Sequence, residues 1–270
     1  MFLSNNKAKT KRTIMNGSYA NPPVIEVFCE FQFVLSQPAD ITTLGLFYDK
    51  IKDSFPVKTS QIGIGIATKQ TQVDAETRPL EGGLGLGVST RARFFRPDRS
   101  ALVQATPDTL TVNHLTPYSS WDEFEPIILS NFKIFRQIIN PKAFKRVTLG
   151  YINRLDFSEL PAELKDCFNL YLVLPERMAK TRVAFTGGVE IPCEGGRNSL
   201  SVTLQSIPPT KPDAFSFILN LNYHTTTLES AGNIHLDSIS EWMQAAHDTI
   251  IEAFEQCLTA ECKARFEGIK

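Results

Sequence analysis

Ala101–Ile139 reads ALVQATPDTLTVNHLTPYSSWDEFEPIILSNFKIFRQII, and its period changes half way along. The first part is strand-like. Ser100–Ala105 and Leu110–Leu115 are short apolar runs separated by the turn signal Thr106-Pro107-Asp108. From Trp121 onward the apolar residues Trp121, Phe124, Ile128, Phe132, Phe135 and Ile139 return at helical spacing. Ser120 and Glu123 form a capping-box pattern before this run, and Pro126 lies near its first turn. Asn140-Pro141 closes it. A hairpin followed by one long amphipathic helix predicts an antiparallel sheet whose apolar face the helix covers.

Working upstream, Ile25, Val27, Cys29, Phe31 and Phe33 alternate with Glu26, Glu30 and Gln32, which predicts a half-buried strand. Glu26 and Glu30 fall on its polar face. Ile41–Phe55 carries a helical stripe that stops before Pro56. Ile62–Ile66 and Gly87–Arg96 read as strands, with Thr68–Gly85 as a loop between them. Residues 1–20 are polar, basic and aperiodic, and read as a disordered tail.

Downstream the same order recurs. Val147–Phe157 alternates, Leu160–Phe168 suggests a short helix, and strands are expected at Leu170–Leu174, Arg182–Ile191, Ser199–Ser206 and Ala214–His224. A last long helix begins near Ser238, with Glu241 completing a second capping box. It carries Trp242, Met243, Ile250 and Phe254 on its predicted buried face. A short helix, Ala260–Phe266, follows. The expected fold is therefore α+β: two helix-grip-like halves, 21–144 and 145–270, packed as one unit. Each half is a curved antiparallel sheet covered by a long amphipathic helix.

Several segments, in order, resemble a family of sporadically distributed prokaryotic proteins of unknown function. They are Asn21–Val27, Leu102–Leu115, Tyr118 with Trp121–Phe124, Arg146–Arg154, and Trp242 to Thr259. The resemblance spans nearly the whole chain after residue 20 and carries over no catalytic residue. Gly150 departs from it, since an Arg is more usual at that position. The family's patchy occurrence implies genes on mobile islands, where defence and toxin–antitoxin modules accumulate.

The chain's 270 residues are 42% hydrophobic and 21% charged, with a net charge of −1 and 19 Phe. A packed core is expected, whole-chain disorder is excluded, and no global field steers the protein to nucleic acid or an acidic membrane. No secretory h-region and no 18-residue apolar run occurs. The five cysteines, Cys29, Cys167, Cys193, Cys257 and Cys262, show no C-x-x-C spacing. A cytoplasmic protein with free thiols and no disulfide, metal or cofactor is expected.

Chemical signatures are sparse. Glu81–Gly87 is glycine-rich but lacks the Lys-Ser/Thr and following helix of a phosphate loop. His114, His224, His235 and His247 form no metal-ligand pattern. His114 is expected at a strand end and His247 in hydrogen-bonded packing on the last helix. There is no G-x-S-x-G elbow.

Charge is distributed unevenly. Lys133, Arg136, Lys142, Lys145, Arg146 and Arg154 fall in a stretch without acids, and Arg91, Arg93, Arg96 and Arg99 precede it. The last helix is acidic. Arg91, Arg93, Arg146 and Arg154 are therefore the expected binding face for an anionic partner, provided their hairpin and strand are neighbours. The leading expectation is a non-enzymatic interaction or sensor protein whose partner is another protein. The alternatives are a helix-grip binder of a small apolar or anionic ligand, with a cavity beneath a long helix, and nucleic-acid binding through the basic face and tail.

Overall fold

The computed structural model describes residues 19, 21–37, 40–67, 85–158, 164–170, 184–209, 211 and 214–266, with the side chains of 61–67 and 85–90 left out of the description. The expected loop at 68–84 and the expected strand at 170–174 lie, apart from Leu170, outside the described residues.

Nine strands form one antiparallel sheet: β1 (Val24–Val34), β2 (Val57–Ala67), β3 (Gly85–Phe95), β4 (Ala101–Ala105), β5 (Thr109–Leu115), β6 (Ala143–Phe157), β7 (Thr186–Cys193), β8 (Asn198–Ile207) and β9 (Phe215–Thr225). Their spatial order is β2-β3-β4-β5-β1-β6-β9-β8-β7. The helices are α1 (Thr42–Ile51), α2 (Trp121–Ile139), α3 (Leu228–Gly232), α4 (Ile239–Cys257) and α5 (Ala260–Ala264). The five-residue α3 escaped the sequence reading, being too short to show a period.

The alternation in β1 sets the two faces. Val27, Cys29, Phe31 and Phe33 are buried. Phe132 of α2 lies 4.9 Å from the Phe31 ring, and Cys29 Sγ is 3.9 Å from Met243 Sδ of α4. Phe47 of α1 meets Phe94 of β3 and Phe135 of α2 edge to face. α1, α2 and α4 thus share one face of the sheet. The opposite face, away from these helices, is polar.

Ser120 caps α2 as expected, its hydroxyl accepting from the Glu123 N–H at 3.2 Å. The capping box expected at α4 does not form: Ser238 makes no side-chain cap, because its backbone is not in the extended conformation an N-cap hydroxyl needs. Met243, Ile250 and Phe254 are buried, whereas Trp242 is half-buried. It packs on Tyr223 and donates its indole N–H to Asn198 Oδ1, so its polar edge keeps it at the margin of the core.

Two further findings revise the sequence reading. Tyr19, inside the segment read as tail, is ordered against the body. Its hydroxyl donates to Glu255 at 2.6 Å, and its ring meets Phe254 and Phe266 edge to face. Gly150 has a packing reason: a Cβ there would strike the Phe28 ring and Asn222 Oδ1, which lie across it on the polar face.

Candidate functional site

β6 pairs with β1 on one side and β9 on the other, so Arg146, Thr148, Gly150 and Arg154 lie on the polar face beside Gln32, Glu30 and Phe28. Arg93 lies opposite Gln104 on the same face, and Arg91 shares its parity. All four arginines therefore do project to one face. They do not form one cluster. β4, β5 and β1 intervene between β3 and β6, four interstrand steps or roughly 19 Å. The hairpin and strand expected to be neighbours are separated because β5 and β1 lie between the β3–β4 hairpin and β6.

Each arginine has its own surroundings. Arg91 stands 3.9 Å from Glu30. Arg93 donates to Gln104, which donates to Asn113, which donates to Glu26 at 2.6 Å. Arg154 donates to both oxygens of Asp156 and, at 3.4 Å, to Ser216. Arg146 makes no ion pair among the described residues. It borders a shallow hollow of ≈ 330 Å³ with Phe28, Thr148, Glu190, Ser201, Asn222 and His224. His224 Nε2 lies 3.2 Å from Glu190. Burial, and then the Arg146 charge, lower the His224 pKa. Glu26, Glu30, Asp156 and Glu190 match the four arginines in number on this face. Among the described residues, the face is a mixed-charge lattice rather than a basic track.

The more enclosed site lies on the other face. A cavity of ≈ 410 Å³ opens between the start of α2, the middle of α4 and strands β1, β6 and β9. It is lined by α2 only through that helix's first residues, Trp121 and Asp122, and by α4 from His247 to Glu255. Its floor includes Val24, Tyr151, Asn153 and Leu221, and Tyr19 with Pro22 and Pro23 borders it from the N-terminal side.

A polar chain runs along one wall. Tyr118 Oη lies 3.4 Å from Tyr151 Oη, which lies 2.8 Å from His247 Nδ1. The imidazole stacks on Trp121, centroids 4.6 Å apart and planes 5° from parallel. Trp121 in turn donates to Gln244 of α4 at 3.0 Å, tying the helices together at the cavity. His114 acts behind the wall: its ring packs edge to face on Tyr118, and its nitrogens reach Leu115 O and Ser119 Oγ. Both histidines therefore serve hydrogen-bonded packing, the role read from the sequence for His247; for His114 the sequence reading is a structural place at a strand end.

Burial pushes His247 down to about 4 and Tyr118 up to about 12. Both are neutral at pH 7. A neutral imidazole accepts at one nitrogen; with Nδ1 as acceptor, the chain runs from Tyr118 through Tyr151 to His247 and leaves a Tyr118 lone pair available. Sequence reasoning did not single out Tyr118, Trp121 or Tyr151 as a site. Its only pointer was the apolar faces of the two helices over one sheet.

The cysteines are free thiols, and no group of metal-ligating side chains occurs among the described residues. No described helix is long and apolar enough to cross a membrane. No protein-family model matches the chain, and no curated protein matches it.

Proposed function

We propose that this protein is a non-enzymatic sensor whose input is a small molecule held in the cavity between α2, α4 and the sheet. The observation that carries this reading is the cavity itself. At ≈ 410 Å³ it falls within the ~300–1,000 Å³ range of small-molecule sites. Its lining is mainly apolar and aromatic, with the Tyr118–Tyr151–His247 chain on one wall and a few further polar groups, the composition that gives affinity by burial and orientation by hydrogen bonds.

The architecture supports the same reading. In the strand order, β1 lies beside β5 after one meander and β6 beside β9 after another, each followed by a long helix. We read this as a duplicated helix-grip plan, with the cavity where the two helices meet. The neutral His247–Tyr151–Tyr118 chain suits a hydrogen-bonding wall better than proton transfer at pH 7. Family membership, as the motifs suggest it, and a protein partner for the output belong to the same proposal.

Trp121 lines the cavity and Trp242 does not, so Trp242→Phe leaves one indole reporter. The full chain in this background, titrated with the neutral dye N-phenyl-1-naphthylamine, should bind one equivalent and change Trp121 emission. Ile251→Phe, which adds ring volume to the lining, should weaken binding about tenfold or more. Absence of binding, or binding indifferent to Ile251→Phe, would overturn the reading.

A further inference from the structure

Resting on the reading of this cavity as a ligand pocket, we propose that its ligand is a small organic cation: an ammonium or quaternary ammonium group on a compact apolar body. Five aromatic side chains, Tyr19, Tyr118, Trp121, Tyr151 and Phe254, line one cavity. Tyr19 and Phe254 meet at 70°, and Tyr118 and Tyr151 at 75°. Rings set edge to face form adjoining walls. The negative π-face of an aromatic ring attracts a cation, and several such rings form the known environment for quaternary ammonium groups.

The charged groups agree with the rings. Asp122 and Glu255 line the cavity, and no lysine or arginine is among the described residues of its lining. Asp122 is exposed and makes no ion pair among the described residues. Glu255 accepts from Tyr19 and from Lys263, whose Nζ lies 3.1 Å away but outside the lining. His247 adds no positive charge at neutral pH, because burial keeps its imidazole unprotonated. Two features oppose a cation: Lys263, which pairs with Glu255, and the N-terminus of α2, whose partial positive charge favours anions. Ser120 already caps it, and Asp122 and Glu123 lie in its first turn. An anionic ligand would therefore face the carboxylate of Asp122 with no cation among the described lining residues to receive it.

The test compares choline with 3,3-dimethylbutan-1-ol, which has the same shape without the charge. Both are titrated into the full chain by calorimetry at pH 7. Choline should bind about tenfold or more tightly than the alcohol. Asp122→Asn should weaken choline about three- to tenfold and leave the alcohol unchanged, with an unaltered melting temperature as the folding control. Equal affinities, or choline binding indifferent to Asp122→Asn, would overturn the proposal. Binding of neither probe would overturn it too. The neutral-dye titration then judges the pocket separately, since a pocket that takes the dye but not choline is a binding site of different selectivity.

Discussion

His247 is held between the indole of Trp121 and the hydroxyl of Tyr151. Burial, partly offset by Asp248 and Asp122, brings its pKa to about 4. The unfolded chain then binds a proton near pH 6.5 that the folded chain refuses until about pH 4, so stability must rise with pH across that window. Full protonation of the unfolded state should remove about 3 kcal/mol between pH 6.5 and 4. His224, also lowered, acts in the same direction. Lowered carboxylates such as Asp156 act in the same direction, but mainly below their ordinary value near ~4, at the foot of the window. Urea unfolding at pH 7 and pH 4.5 should show the loss, and His247→Gln should remove most of it. An unchanged slope in the variant would mean that the imidazole is solvated. The packing of this histidine was readable from its place at the edge of an apolar stripe; its partners were not, because Tyr151 lies 96 positions away on another element.

Among the elements, α2 is the one best written in the sequence. Its cap, its apolar face and its end at Asn140, in left-handed conformation, all follow local rules. Phe135 is fully buried and packs on Phe33 and Phe47. Phe135→Ala should cost about 3–5 kcal/mol through lost contacts and the cavity left behind. Lys133, exposed on the other side of the helix, should change stability by less than ~0.5 kcal/mol when replaced by alanine. Chemical denaturation of the two variants measures the contrast; similar losses would contradict the assignment of the buried face. The start of α4 shows the limit of such rules. Ser238 and Glu241 have the spacing of a capping box, but backbone geometry decides whether the hydroxyl reaches an N–H, and here it does not.

For the whole molecule, the seam between the expected halves is the β1–β6 ladder, paired from Val24–Asn153 to Val34–Ala143. The two strands continue one sheet, and their buried faces belong to one core cluster. Unfolding one half would strip an edge of hydrogen bonds and apolar surface from the other. A single cooperative transition is therefore expected, with calorimetric and van't Hoff enthalpies equal. Two resolved transitions in a scan would show that the halves are independent.

What the sequence determined by itself is the local layer of this protein: which stretches alternate, which repeat at helical spacing, where α2 begins and ends, and which face of β1 and β6 is apolar. These follow from the periods of strand and helix and from capping chemistry, which act within a few residues. Parity placed Arg146 and Arg154 on one strand face, with Arg91 and Arg93 in the preceding hairpin. Only the tertiary structure decided their neighbours, because strand order is set by pairing between distant segments, and β1 inserts between β5 and β6. That insertion, with β4 and β5, separates Arg91 and Arg93 on β3 from Arg146 and Arg154 on β6. The cavity is likewise a tertiary product. Tyr19, Tyr118, Trp121, Tyr151, His247 and Phe254 come from across the chain, and each follows its own local pattern. The space they enclose exists only where two helices cross one sheet without filling the gap between them.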